Sequence, residues 1–181
     1  MGADEGVHIN DGALNDADHW ATAEALAAAI QKLAPYDLVI AGRQGVDWDM
    51  GVVGSTIAEI IDAPVVTVAK EILMDGGKVT VERVLLDGFE SVEAPTPAVV
   101  TVSNELGEPR YPQLRQIMMA AKKEVKSWAL ADLGISAPAN RVALEALFVP
   151  ETKVETEVIE GDTPQEKAQK LVERLREAKL I

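Results

Sequence analysis

Apolar residues recur along this chain with two different periods, and the switch between them lays out the fold. From Asn15 to Leu33 the spacing is helical: Trp20, Ala23, Leu26, Ala27, Ile30 and Leu33 share one face, Asn15 or Asp16 can cap it, and Pro35 stops it. Such a stripe predicts a helix with that face turned to a core. Two continuous apolar runs, Asp37 to Gly42 and Val65 to Ala69, predict strands buried on both faces, as parallel strands are. A helix is predicted between them, from about Gly51 to Ile61, and Val7 to Ile9 predicts a short strand ahead of the first helix. The order β-α-β-α-β is the one from which a parallel sheet flanked by helices is built.

The period then drops to two. Between Ile72 and Ala94, Val79, Val81 and Arg83 alternate with Thr80 and Glu82, and Asp75-Gly76-Gly77 and Asp87-Gly88 mark turns. Alternation with glycine turns predicts an antiparallel excursion with one wet face. Pro95-Thr96-Pro97 interrupts it, and Ala98 to Val102 returns to a buried strand. A helix is predicted over Pro112 to Glu124, with Leu114, Ile117, Met118 and Ala121 on one face. A short helix is predicted over Ser127 to Leu133, closed by Gly134, and Arg141 to Val149 reads as extended. The acidic stretch Pro150 to Glu160 is expected to lie along a surface. Thr163-Pro164 with Glu166 opens a last helix reaching Lys179, whose apolar side carries Leu171, Val172, Leu175 and Ala178. The fold class is therefore α/β, a mainly parallel sheet flanked by helices, with an antiparallel hairpin excursion.

Composition narrows the function more than the fold. A chain of 181 residues can bury one substantial core. Its 30 acidic against 17 basic residues leave a net charge of -13, which repels phosphate backbones and argues against nucleic-acid binding. No apolar run approaches the roughly 20 residues that span a bilayer, so no membrane insertion is expected. The absence of cysteine removes disulfides, thiol catalysis and cysteine-held metal clusters, and agrees with a reducing, cytoplasmic setting. Met1 to Gly6 lacks the basic and apolar regions of a signal or transit peptide and reads like a turn between a helix and a strand.

The candidate chemistry sits in three constellations. The first, Gly42 to Ser55, joins a parallel strand to a helix, where open α/β sheets bind ligands. Glycines let a ligand approach the backbone, free amides at the helix start favour a phosphate, and Ser55 adds a hydroxyl. Asp47 and Asp49 oppose a nearby anion, so they are expected to cap the helix or to hold ribose hydroxyls. An ordinary loop whose turns need glycine would show the same spacing, and neither G-x-G-x-x-G nor G-K-[ST] occurs. His8 and His19 have no nucleophile beside them, and Asp47 with Asp49 is too little for a metal site, so neither a catalytic nor a metal site is expected. The second constellation is Val81-Glu82-Arg83 with the Asp87-Gly88 turn and the strand Ala98 to Thr101. The third is Asn104 to Pro112, a polar loop with Leu106 at its tip, which suits a protein-binding site.

Taken in order, these motifs resemble the electron-transfer flavoprotein beta subunit: the loop after Ala41, the V-E-R segment and its D-G turn, the P-A-V-V-T strand, and the N-E-x-x-E-P-R-Y-P loop followed by Lys122 and Lys123. The likeness runs from Met1 to the final helix and corresponds to the family's C-terminal two-thirds, so the family's first strands and one wall of its nucleotide pocket are expected to be missing. It implies a three-layer sheet like that of adenine-nucleotide alpha hydrolases. It implies an incomplete nucleotide-binding domain over 1–150, and over 151–181 an extension and helix that pack on a partner subunit. It implies an electron carrier without bond-breaking chemistry of its own, paired with an alpha subunit that carries redox-active FAD. The beta subunit holds AMP, or a second FAD.

Carried over residue by residue, Gly42, Arg43, Gln44, Val46, Asp47, Asp49, Gly51, Val53, Gly54 and Ser55 fall on the nucleotide loop. Leu106 falls on the anchor that docks acyl-CoA or other dehydrogenases, with Pro109, Arg110 and Tyr111 beside it. Met50 and Val52 depart from the family's small, polar and glutamine preferences, so the chain alone is expected to bind AMP or FAD weakly or not at all. An unpaired sheet edge is expected to invite self-association. A universal-stress-protein or ATP-pyrophosphatase-like ATP-binding domain shares the architecture but does not require the hairpin or the P-R-Y-P loop. An interaction domain that has lost its ligand is the third reading.

Overall fold

The computed structural model describes residues 1–151 and 156–181, which form two compact units, Met1–Ala143 and Leu144–Ile181. Along the first unit run β1 (Gly6–Ile9), α1 (His19–Lys32), β2 (Leu38–Gly42), α2 (Val53–Ile60), β3 (Val65–Asp75), β4 (Lys78–Leu85), β5 (Gly88–Pro95), β6 (Ala98–Val102), α3 (Leu114–Ala120) and β7 (Val125–Trp128). Five strands make one sheet in the order β2-β6-β3-β4-β5, parallel among β2, β6 and β3 and antiparallel through β4 and β5.

The chain lays β2, crosses through α2 to β3, and leaves one strand's width between them. After the hairpin, β6 fills that gap. Parallel neighbours on both sides bury Ala98, Val99 and Val100 completely, which is the environment an unbroken apolar run satisfies. Thr101 is buried too, and its hydroxyl accepts the Val68 N–H at 3.1 Å.

β3 serves both halves of the sheet. It pairs in parallel with β6 over Val65 to Ala69 and antiparallel with β4 over Ala69 to Asp75, with register shifts on either side of Ala69. Val68 sits at the shift with φ +58, a left-handed conformation that β-branched residues rarely adopt. Thus the runs Val65 to Ala69 and Ile72 to Met74, separate in the sequence reading, are one bent strand. The hairpin core forms where the alternation placed it: Val79 and Val81 are fully buried against Val66, Ala94 and Val100. Further along the same face of β4 Arg83 donates to the Thr67 hydroxyl at 3.1 Å, and on the opposite face Lys70 pairs with Glu82 at 3.1 Å.

Four expectations change. The cap of α1 is Asp18, not Asn15 or Asp16: its carboxylate accepts the Ala21 N–H at 2.8 Å, while a 3-10 turn at Gly12–Leu14 occupies the chain before it. The buried residues of α1 are Ala21, Ala23, Ala25, Ala27 and Ala29, whereas Leu26 and Leu33 are exposed. α1 packs on α2, which lies on β6 and β3, and small side chains permit that close approach. The predicted helix over Ser127 to Leu133 is instead β7, paired in parallel with β1, followed by a 3-10 turn at Leu130–Leu133. Lys32 holds this turn to α1, donating to the Asp132 carbonyl at 2.5 Å and lying 4.6 Å from the Trp128 ring centre. Gly134 closes the turn at φ +72, as its sequence position implied. Finally, β2 is not buried on both sides. Among the described residues it pairs with β6 alone, and Ile40 is 58% exposed.

In the second unit, α4 (Pro164–Glu177) starts where predicted, with the Thr163 hydroxyl accepting the Glu166 N–H at 3.2 Å. Arg174 grips both Glu157 oxygens at 2.8 Å, and no residue of α4 is buried. Of the acidic stretch Pro150 to Glu160, residues 152–155 lie outside the described residues. No described helix is long and apolar enough to cross a membrane.

Candidate functional site

Parallel pairing of β2 with β6 sets Gly42 beside Val102, so the loops that follow these strands leave the sheet together. The Arg43 N–H donates to the Val102 carbonyl at 2.8 Å, and the Arg43 guanidinium lies 3.7 Å from Glu105, which also accepts from the Ser103 hydroxyl. Two segments that are about 60 residues apart thus meet at the carboxyl ends of adjacent strands, the place where open α/β sheets gather ligands.

The first of these loops is built by its own polar groups. The Asp47 carboxylate accepts the N–H of Trp48 at 2.9 Å, the Asp49 N–H donates to the Gly45 carbonyl at 3.0 Å, and the Gln44 amide donates to the Asp49 carboxylate. Asp49 and Gly51 take left-handed backbone at φ +55 and +65, which turns the chain back toward α2. The expected capping role of the two aspartates is not what is found: Val52 stands at the N-cap and no side chain caps α2. Among the described residues, the first amides of that helix therefore have no side-chain acceptor.

Gly54 has a packing task. A Cβ there would lie 2.6 Å from the Thr101 methyl and 3.3 Å from Ala41, so only glycine lets α2 settle on β2 and β6. Gly42 is the opposite case, with open space around its would-be Cβ. Val46, Trp48, Met50 and Val52 all face solvent, and Val53 and Ser55 are half-buried. A groove of about 520 Å³ lies elsewhere, between α1 and the segment Gly134–Ala139. His8 is exposed on β1 and His19 opens α1, and the described residues hold no cluster of metal ligands.

Sequence reasoning missed a latch at the start of α1. Burial pushes the Asp18 carboxyl up, but the N–H groups of Ala21, Val142 and Arg141, with His19 alongside, outweigh it and hold Asp18 below the usual carboxylate range. Asn140 accepts the Asp18 N–H at 2.9 Å and donates to the Asp16 carbonyl at 2.8 Å, and the Arg141 guanidinium lies 5.0 Å from the Trp20 ring centre. The N-D-A-D run was a legible capping signal; its partners from Asn140 to Val142 were too distant in sequence to see.

At the third constellation Leu106 sits in a 3-10 turn and is 40% exposed, while Pro109, Arg110 and Tyr111 stand in solvent. The larger apolar surface lies just beyond. α3 buries none of its residues; Leu114 is 75% exposed, and Ile117, Met118 and Met119 are exposed beside it. The helical period of these residues was visible in the sequence, but a period does not say whether the face meets a core or solvent.

An open α/β sheet with two loops joined at its carboxyl end defines an α/β domain of mixed sheet topology. The family model described as electron transfer flavoprotein domain matches residues 1–133. The chain is 39% identical over its whole length to the caffeyl-CoA reductase-Etf complex subunit CarD of Acetobacterium woodii, covering 71% of that protein. It is 41% identical, again over its whole length and 71% of the relative, to an electron transfer flavoprotein subunit beta of Thermoanaerobacterium thermosaccharolyticum. Against the subunit beta of Clostridium acetobutylicum the identity is 42% over 75% of this chain and 52% of the relative. The chain belongs to the electron transfer flavoprotein family, as a beta subunit.

Proposed function

We propose that the chain holds an adenine nucleotide, AMP or FAD, at the Gly42–Ser55 loop, and orients an alpha subunit and a dehydrogenase so that electrons pass between them. The observation that carries this reading is the meeting of the Gly42–Ser55 and Ser103–Leu106 segments through Arg43 and Glu105. The residues present fit a phosphate: Gly42 leaves open space, the amides of Val53, Gly54 and Ser55 lack a side-chain cap, and Arg43 is a nearby cation. In this reading Asp47 and Asp49, whose carboxylates also accept from Trp48 and Gln44, take the ribose hydroxyls. Arg43, Gln44, Val46 and Gly51 shape the loop around them. Met50 and Val52 supply no hydrogen bond through their side chains, so affinity in the isolated chain is weak. A flavin on the alpha subunit supplies the redox chemistry, and no residue of this chain breaks bonds.

The docking surface in this reading runs from Leu106 through Tyr111 onto α3, where Leu114, Ile117 and Met118 form its apolar centre. The second unit packs on the alpha subunit. A reconstituted heterodimer tests the reading with paired measurements of bound nucleotide and dehydrogenase-linked flavin reduction. Asp49→Ala is expected to lower nucleotide content, and Leu106→Ala or Leu114→Ala to slow reduction at unchanged flavin spectrum and melting temperature. Tight, stoichiometric AMP or FAD binding by the isolated chain would refute the weak-affinity part. Unchanged reduction by both leucine variants would refute the docking surface.

A further inference from the structure

Arg43 and Glu105 follow neighbouring parallel strands, and the backbone fixes where each side chain starts. The Arg43 N–H donates to the Val102 carbonyl at 2.8 Å. Glu105 lies in the 3-10 turn Asn104–Leu106, where the Leu106 N–H donates to the Ser103 carbonyl at 3.2 Å and the Gly107 N–H to the Asn104 carbonyl at 3.2 Å. The Glu105 carboxylate accepts from the Ser103 hydroxyl and faces the Arg43 guanidinium at 3.7 Å. One carboxylate thus ties the turn that carries Leu106 both to itself and to the end of β2.

This tie is built to exchange. The Arg43 and Glu105 side chains are 43% and 31% exposed, so solutes reach both, and ion pairs at such exposure hold weakly. A separation of 3.7 Å is longer than a hydrogen bond, and a guanidinium carries five N–H donors. Arg43 therefore keeps donors for a second anion. Among the described residues it pairs with no other carboxylate, so Glu105 is the competitor such an anion meets.

We propose that Glu105 competes with the nucleotide's phosphate for Arg43, setting nucleotide affinity by charge and passing the occupancy of the loop to the Leu106 turn. A terminal phosphate carries about -1.5 to -2 charges at neutral pH. With Glu105 beside it, one guanidinium cannot neutralise both anions, and each raises the cost of holding the other. Glu105 lowers the affinity for a phosphate-bearing ligand, and a bound phosphate loosens the hold on the turn. A dehydrogenase that needs Leu106 held in that turn is then weakened by nucleotide. Binding equilibria couple reciprocally, so it weakens the nucleotide by the same factor. The inference rests on the reading that puts the nucleotide at Gly42–Ser55 and the dehydrogenase at Leu106 and α3, and it adds the residue that joins the two sites.

Calorimetric titration of the reconstituted heterodimer with AMP and, separately, with FAD tests it. Glu105→Gln keeps an oxygen for the Ser103 hydroxyl and loses only the charge. It should tighten nucleotide binding roughly three- to tenfold at low salt, at an unchanged melting temperature. The gain should shrink at physiological salt, where charges act over about 8 Å. In an Arg43→Gln background the same change should gain less than about twofold, because the shared cation is gone. Saturating nucleotide should raise the dehydrogenase Kd of the wild type roughly threefold or more, and leave that of Glu105→Gln in place. Equal nucleotide affinity of wild type and Glu105→Gln, or an equal gain without Arg43, overturns the competition while the nucleotide reading stands. A wild-type dehydrogenase Kd indifferent to nucleotide overturns the coupling. Failure of both nucleotides to bind wild type and Glu105→Gln alike overturns the nucleotide reading, and the inference with it.

Discussion

α1 and α3 are both short helices carrying aliphatic residues at helical spacing, yet α1 buries five alanines and α3 buries nothing. The difference lies in what each helix is offered. α1 runs between the α2 layer and the β1–β7 pair, so its small side chains become a contact and its leucines are pushed outward. α3 hangs between β6 and β7 with its larger residues, Leu114, Ile117 and Met118, in solvent. In the proposed reading, these exposed aliphatic residues grouped on one helix serve as a surface for another molecule. An apolar residue in this chain thus reports contact area, and only its surroundings tell whether the contact is internal.

Overpacking α1 should produce the largest effect. Ala27→Leu is expected to destabilise the fold by about 1–3 kcal/mol in denaturant unfolding. The same increase in size at an exposed site of α3, Ala120→Leu, should change stability by less than about 0.5 kcal/mol. Equal losses from the two substitutions would break the comparison.

Next in size is the effect of α3 on partners. If its face is a docking centre, Ile117→Ser should weaken dehydrogenase binding by about 2 kcal/mol, roughly 30-fold. Its midpoint of unfolding should stay at the wild-type value. A variant that melts earlier but transfers electrons normally would return α3 to the role of internal support.

The helix starts differ in charge, which gives a smaller and pH-dependent contrast. Asp18→Ala removes the cap of α1 and its hold on Arg141 and Val142, and is expected to cost about 1 kcal/mol at neutral pH. Because the folded pKa of Asp18 is depressed, its contribution is fully present above the ordinary aspartate value of about 3.9 and is lost as pH falls through the lower folded value. Melting curves of wild type and Asp18→Ala should therefore converge in acid. Parallel curves down to low pH would show that Asp18 acts without its charge.

The smallest effect is expected at the start of α3, which carries no acidic residue. There the Gln116 side chain accepts the Gln113 N–H at 3.1 Å. Gln116→Ala should leave the melting temperature in place and only hasten amide exchange in the first turn of α3. A shift of several degrees would mean that α3 is coupled to the core after all.

Much of the fold was legible because its signals are local. The continuous run at Ala98 to Val102 and the alternation at Val79 and Val81 each predict burial, and those residues are buried. Gly134 closed an element where expected. The misreadings share one cause. Ser127 and Trp128 were read as helix because nothing nearby revealed that β1, more than a hundred residues earlier, would pair with them. For the aspartates of the Gly42–Ser55 loop, expected to cap the helix or to hold ribose hydroxyls, the capping alternative fails, because their carboxylates accept from Gln44 and Trp48 within the loop.

By itself the amino-acid sequence determined the strand and helix periods, the hairpin, the turn glycines and the family, since each is written in short windows or in motif order. Only the tertiary structure decided that β6 enters between β2 and β3, that Arg43 meets Glu105, and that alanines rather than leucines line α1. The physical reason is that conformation is chosen locally by sterics and periodicity, whereas pairing and burial are chosen by which distant segment comes to lie alongside.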